Sequence, residues 1–349
     1  LQRHNFFEAG QLMIGYYIHH HGRGHLTRAA SIAAHLGDDV TALSSADPTA
    51  VKMFEHHLVL PLDNGETHRH DPTANGALHW APIHESGLRS RMAQVAQWVA
   101  STRPAAVVVD VSVEIATFIR LMGVPVIVLA MPGDRGDAAH QLAYRLADHI
   151  IAAWPQEVYD PAWLHPYASK TTYVGGISRF DGRERASRPH HTSTTPQVVV
   201  LSGAGGSAVS DADVKAAAAQ HDSFEWKGLG LPGGTWITDP WPDICTGDVV
   251  VSHAGQNAIA DISVAGRPAI VIAQRRPFGE QVATADALST HNLAVTLQEW
   301  PPLGAWPELI SQAHALDNER WSAWQSAGAA ARAAKVIEAV ADRSPGPRP

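Results

Sequence analysis

The sequence predicts an α/β protein built from two doubly wound, Rossmann-like domains that face each other across a cleft. Three observations lead there. Short, wholly apolar runs recur along the chain, among them AAVVVD at 105–110, VPVIVLA at 124–130, VVVL at 198–201 and AIVIA at 269–273. Each is followed by a turn and a stretch of helical period, as buried parallel strands joined by crossover helices require. The pattern stops at a connector rich in Gly, Arg and Thr, residues 176–196, and then restarts. Each half also opens with a glycine-rich strand-to-helix turn, HHHGRGH at 19–25 and SGAGGS at 202–207. Such turns let a ligand approach the backbone and meet the N–H groups of a helix start.

Composition narrows the class. A chain of 349 residues is ample for two domains, and 45% hydrophobic with 17% charged residues fits a folded globular protein. A formal net charge of −8 argues against a nucleic-acid partner. The one cysteine, Cys245, excludes an internal disulfide framework and a cysteine zinc site. No apolar run reaches the length that spans a bilayer. Residues 1–12 read as a leader or tag without ordered structure, and 343–349 as a frayed tail. The expected location is the cytoplasm, with the inner face of the membrane as an option.

The first domain is expected over residues 13–175. Leu12–Ile18 is its opening strand, and Leu26–Leu36 a helix with one apolar face. His25 stands between them, either as a functional group or as part of the helix cap. A metal role for His19, His20 and His21 is disfavoured because neighbours on an extended segment point to opposite sides. The turn is no dinucleotide fingerprint either, since Thr27 occupies the place of the third glycine. Asp38–Ser45 is the second strand. The loop from Pro61 to Ser86 holds His68, His70, His79 and His84 and is expected to cover the cleft, its histidines either touching an acceptor or simply solvated. Gly87–Arg103 is a helix. The strand 105–110 ends in Asp110, at the carboxyl rim where ligands of open α/β sheets gather. Asp110 serves there or caps the helix from Ser112, with Glu114 as a reserve candidate. A strand at 124–130, a helix at 134–147 and a strand at 149–154 complete the domain.

The second domain is expected over 197–320. Its first loop brings Ser202, Gly203, Gly205 and Gly206 toward a diphosphate. Asp211 and Asp213 form a D-x-D string that could hold a metal, but they stand at a helix start and read better as caps. Ser223–Gly228 and Leu293–Leu297 read as strands, and Trp306–Leu316 and Glu319–Asp342 as helices. The stretch from 252 to 288 carries most of the chemistry. A strand at 248–251 meets a turn with His253 and Gly255, and the following helix bears Gln256 and Asn257 at its start and Asp261 two turns on. Gly266-Arg267-Pro268 stops it. A phosphate suits the helix start and His253. Asp261 lies near the same face, placed to accept ribose hydroxyls, and Glu280 and Gln281 begin the next helix, within reach of a sugar.

The order His253-x-Gly255-x-Asn257-x-x-x-Asp261, then Gly266-x-Pro268, then Glu280-Gln281 resembles the donor-binding signature of nucleotide-sugar glycosyltransferases of the GT-B type. The first part resembles the small-molecule UDP-glycosyltransferases and the second the peptidoglycan N-acetylglucosaminyltransferase. Asp261 stands where these families commonly have Glu. The G-x-G-H turn at 22–25 and the V-V-D strand end at 108–110 are similar as well. The resemblance implies a GT-B fold with an acceptor domain first and a donor domain second, and a last helix, residues 321–342, that returns to the first domain. It implies His25 as the base that deprotonates the acceptor and Asp110 as the group that orients it. Gly24, Ser202, Gly203, Gly205, Gly206, His253, Gly255, Gln256, Asn257, Asp261, Glu280 and Gln281 would hold the donor. Trp236, with the backbone of Ile237, would take the base, Trp241 being the other aromatic candidate. The implied reaction is inverting and metal-independent, with no cofactor beyond the nucleoside diphosphate sugar, UDP first among bases. The implied acceptor is a small molecule, a glycan or a lipid-linked sugar, the last bringing peripheral membrane association. A nucleotide-sugar hydrolase on the same fold, a more distant 2-epimerase and a non-catalytic donor-binding partner are the other readings.

Overall fold

The computed structural model describes residues 12–19, 23–37, 39–47, 49–64, 70–187, 195–203 and 209–343. The first half runs β1 (Met13–Ile18), α1 (Gly24–Ala33), β2 (Asp39–Ser44), β3 (His56–Val59), α2 (Ser86–Thr102), β4 (Ala106–Asp110), α3 (Val113–Leu121), β5 (Val126–Ala130), α4 (Ala138–Leu146), β6 (His149–Ala152) and β7 (Thr171–Tyr173). The second runs β8 (Gln197–Leu201), α5 (Asp211–Gln220), β9 (Glu225–Leu229), α6 (Trp241–Thr246), β10 (Val249–His253), α7 (Gln256–Ala265), β11 (Ala269–Ile272), α8 (Glu280–Thr290), β12 (Val295–Leu297), α9 (Trp306–Ala315) and α10 (Ala329–Arg343).

These strands form a seven-stranded sheet, order β3-β2-β1-β4-β5-β6-β7, and a five-stranded sheet, order β12-β11-β10-β8-β9. The strand pairs are parallel. The apolar runs are buried on both faces because helices cover both, and β4 and β5 are buried throughout. In each sheet the strand order reverses once, between β1 and β4 and between β8 and β10. Crossovers leave in opposite directions there, which opens a crevice at the strands' carboxyl ends. The crevice in the first sheet is flanked by His25 and by Asp110, which is in register one strand over from Ile18. In the second sheet it is flanked by Ser202 and by His253, with Ser252 in register with Leu201.

Several elements depart from the sequence expectations. The short edge strands β3 and β7 and the single-turn helix α6 were not expected; strands and helices of three to six residues carry too little periodicity to announce themselves. The last helix begins at Ala329 rather than 321. Residues 318–324 form a tight 3-10 turn, and Gln325 and Gly328, at φ 52° and 70°, break the chain before α10. That helix then packs its alanine face, Ala330, Ala333, Ala334 and Ile337, into the cluster around Ile14, Ala29 and Ile32 of the first domain. Trp241, a candidate base platform, is core: it is fully buried against Phe180, with Nε1 donating to the Glu184 carbonyl at 2.9 Å. Its place at the first turn of a short amphipathic helix turns it inward, and leaves Trp236 as the exposed aromatic of that stretch.

Candidate active site

A cavity of about 1830 Å³ lies between the carboxyl ends of the two sheets and is lined from both domains. On the first-domain side, α1 begins at Gly24 and sets His25 in its first turn. Arg28 follows at i+3, the spacing that stacks side chains on one helix face. His25 Nδ1 lies 3.0 Å from Asp110 Oδ1. Arg28 grips the same carboxylate, Nη2 donating to Oδ1 at 2.6 Å and Nε to Oδ2 at 3.3 Å, and the same Nη2 lies 3.1 Å from His25 Nδ1. Asp110 is 0% exposed. Burial alone raises its pKa, but the Arg28 cation and His25 outweigh burial and hold it down at about 2. The carboxylate 3.0 Å from Nδ1 favours the tautomer in which Nδ1 carries the proton toward Asp110 and Nε2 is the basic nitrogen, against the competing Arg28 Nη2 donor 3.1 Å from Nδ1. The capping alternative for Asp110 is overturned, because Ser112 caps α3 itself, its hydroxyl accepting from Ile115 N at 3.2 Å. Glu114 is taken by the covering loop, accepting from His79 N at 2.8 Å and Trp80 N at 2.9 Å.

On the second-domain side, His253 Nδ1 accepts from Gly255 N at 2.9 Å, so its proton sits on Nε2. Burial, aided by the nearby Arg276 cation, lowers the His253 pKa to about 4 and keeps the ring a neutral donor. Gly203 faces that nitrogen closely: a Cβ there would sit 3.0 Å from Nε2. Ser202 lines the cavity with its hydroxyl buried and, among the described residues, unpartnered. Gly205 and Gly206 lie outside the described residues, as do His20, His21 and His68. Gly255 is the N-cap of α7, whose first N–H groups open toward the cavity.

The remaining donor candidates line the same cavity, but several already hold protein partners. Gln256 Oε1 accepts from Arg28 Nη1 at 2.7 Å, and Asn257 Nδ2 donates to the Gly24 carbonyl at 2.9 Å; both bonds cross between domains. Asp261 accepts from Ser178 Oγ at 2.7 Å and faces Arg179 Nε at 3.3 Å. Its burial nevertheless raises its pKa to about 6. Gln281 Oε1 accepts from Gln274 N at 3.0 Å, and Glu280 lies 3.8 Å from Arg135 of the first domain. Trp236 is 52% exposed, with the Arg23 guanidinium 5.4 Å from its ring centre, and Ile237 stands beside it in the cavity wall.

Two further contacts bring the domains together. The Phe278 carbonyl accepts from Asp134 N at 2.8 Å, an approach open only because Gly133, at φ 96°, has no Cβ to meet it. The Phe278 ring packs on His79, His140 and Arg135, with centres 5.3, 4.8 and 4.4 Å away. His79, Asp137 and His140 have the donor set of a metal site. Their protons argue otherwise. Arg135 is a pure donor 3.2 Å from His140 Nε2, so His140 carries its proton on Nδ1 and gives it to Asp137, which also takes His79 Nε2 at 2.9 Å. A cation would have to displace that proton beside a guanidinium.

Sequence reasoning missed Arg28, Arg179, Arg135 and His140. Arg28 had one available signal: a charged residue on the inward face of an otherwise apolar helix, one turn after His25. The others gave none, because what gives them meaning is contact over long sequence separations.

Comparisons with known proteins bear on the fold. Residues 234–320 match the model of the glycosyltransferase family 28 C-terminal domain. No curated protein matches the sequence. Among solved structures, the glycotransferase of kitacinnamycin superposes with a TM-score of 0.67 at 16% identity, covering 95% of this chain and 99% of that one. MurG of Acinetobacter baumannii gives 0.64 at 17% identity, covering 94% and 99%. CalG4, the calicheamicin glycosyltransferase, gives 0.66 at 16%, covering 96% and 100%. The fold is GT-B.

Proposed function

We propose, from the premise that the chain is a glycosyltransferase of the GT-B fold, that it moves a sugar from a nucleoside diphosphate sugar to an acceptor hydroxyl with inversion and without a metal. The observation that carries this reading is the convergence on one cavity of two sets of groups. One is an oriented base, His25 on buried Asp110. The other is a nest of donors: the α7 N-terminus, His253 Nε2–H and the Ser202–Gly203 turn.

The chemistry follows from what each group can do. His25 Nε2 takes the proton of the acceptor hydroxyl, and Asp110 stabilises the imidazolium that forms. The acceptor oxygen attacks the anomeric carbon as the bond to the diphosphate oxygen breaks on the opposite side, which inverts the centre. Negative charge develops on the leaving diphosphate, where fixed N–H groups and the helix dipole meet it without reorganising. These groups do the work that a divalent cation does in other sugar transferases. Asp213, of the D-x-D string, is spent elsewhere: it accepts from Ser210 N at 2.8 Å and Ser210 Oγ at 2.6 Å in a capping box. Transfer rates measured with and without EDTA are therefore expected to agree, and an EDTA-sensitive rate restored by Mg²⁺ or Mn²⁺ counts against the metal-free mechanism.

In this reading Asp261 exchanges its bonds to Ser178 and Arg179 for the ribose hydroxyls, and Trp236 takes the base. The wall beyond His25 is formed by Leu78, Trp80, Leu88, Met92 and Val113, which suits an acceptor with an apolar body. UDP is the first base to try. The site lies in a protein in which no described helix is long and apolar enough to cross a membrane.

A panel of UDP-, dTDP- and GDP-sugars tests the reading by thermal stabilisation, since a ligand of the folded state raises its apparent stability. The stabilisation is expected to grow as pH rises through about 6, because the Asp261 carboxyl, pushed up to about 6 by burial, accepts ribose hydroxyls best when ionised. In the unliganded protein the same shift works the other way. The folded pKa exceeds the ordinary carboxylate value of about 4, so the contribution of Asp261 to stability is full below about pH 4 and is lost as pH rises through about 6. Asp261→Asn is expected to flatten the pH dependence of nucleotide stabilisation. A panel with no stabilising member overturns the transfer reading, and donor turnover that is indifferent to any acceptor redirects it to hydrolysis.

A further inference from the structure

Arg28 is the one described side chain seen to touch the base dyad and the second domain together. It is 3% exposed, and its three nitrogens are all engaged: Nε and Nη2 on Asp110, Nη1 on Gln256 Oε1 at 2.7 Å. A guanidinium has five N–H donors and no acceptor. Whichever end of the Gln256 amide faces it must therefore be the oxygen. That choice leaves Nε2 at the opposite end. Gln256 is 8% exposed and lines the cavity, and its Nε2 is buried with no hydrogen-bond partner among the described residues. Buried N–H groups without acceptors are unfavourable, and native proteins keep few of them. They are matched by a ligand that brings an oxygen.

We infer that Arg28 is a positioning residue for both halves of the reaction: it holds Asp110 against His25 and, by taking the Gln256 carbonyl oxygen, turns the amide N–H groups of Gln256 onto an oxygen of the bound donor. The inference rests on the nucleotide-sugar reading of the cavity. Its consequence is coupling. A donor oxygen seated on Nε2 tightens the Gln256–Arg28 bond, and the same guanidinium plane fixes the carboxylate that orients the base. Donor occupancy, domain approach and alignment of His25 thereby become one event. The Asn257–Gly24 bond at 2.9 Å, one residue along from Gln256 and one before His25, ties the two helix starts in the same register.

Gln256→Glu tests this directly. Glutamate keeps an oxygen for Arg28 and places its second oxygen, an acceptor, where the N–H groups were. Isothermal titration with UDP and UDP-glucose, dTDP and dTDP-glucose, and GDP and GDP-mannose is expected to show at least about tenfold weaker binding of the pair that the wild type prefers. Loss for both members places the oxygen on the diphosphate, and loss for the sugar nucleotide alone places it on the sugar; either supports the inference. Arg28→Lys keeps a cation beside Asp110 but cannot span to Gln256. It is expected to lower kcat about tenfold, and on that background Gln256→Glu costs much less donor affinity than it does alone. A purely structural Arg28 would lower thermal stability without this non-additivity. Wild-type affinity in Gln256→Glu, or effects of the two changes that simply multiply, overturns the inference. Should Arg28→Lys fail to fold, the Gln256→Glu titration decides by itself. A wild type that binds no probe strikes the transfer reading first, and this inference falls with it.

Discussion

His25→Ala is expected to lower kcat by about 10²–10⁴-fold while nucleotide-sugar affinity stays within about twofold. The imidazole sits on the first domain, lining the cavity with 19% of its side chain exposed. The groups placed for the donor, apart from Gly24, sit on the second. Removing the base therefore withdraws a transition-state interaction without touching the ground-state contacts of the nucleotide. Two measurements check this: single-turnover transfer, and titration of the nucleotide onto the variant. Donor affinity lost in step with rate would place His25 among the donor ligands and end its assignment as base.

Asp110→Asn is expected to cost both catalysis and stability, and this double loss separates it from His25→Ala. The variant keeps the shape but removes the charge that favours this His25 tautomer, so kcat should fall by about 10²–10⁴-fold. It also strands a guanidinium. Arg28 is 3% exposed, and Asp110 is its only described acidic partner within salt-bridge distance. Breaking a buried pair from one side costs about 3–5 kcal/mol, a large part of the about 5–15 kcal/mol that holds a domain folded. Denaturant unfolding of the two proteins measures it. The pH dependence supplies a second check. The folded-state pKa of Asp110, about 2, lies below the ordinary value of about 4. Its contribution is therefore full above about pH 4 and is lost as pH falls through about 2. The wild type should lose stability across that window more steeply than Asp110→Asn. Parallel profiles would show that the Asp110–Arg28 pair contributes nothing net.

The interdomain bonds explain why the site reads differently in sequence and in space. The spacing His253, Gly255, Asn257, Asp261 was legible because strand, turn and helix fix it locally. What those side chains hold in the folded chain was not. Gln256 and Asn257, expected to face only a donor, also face Arg28 and Gly24, more than 200 residues away in sequence. Asp261, expected to be open for a ribose, is gripped by Ser178 and Arg179 of the connector, a segment that looked like mere linkage. Trp241 and Trp236 are five residues apart and alike in composition. Only the short helix α6 sends one into the core and leaves the other at the surface.

By itself the sequence determined what depends on period and local backbone: apolar runs that can lie only inside a parallel sheet, glycine turns at two helix starts, and a carboxylate at the end of β4. Hydrophobic burial and hydrogen bonding within a few residues dictate these, and both are written locally. Tertiary structure alone decided which charge neutralises which. Arg28 looks like any polar residue of a helix until packing removes water from around it. Only then does Coulomb attraction in a dry interior choose Asp110 as its partner and point its remaining N–H at the facing domain.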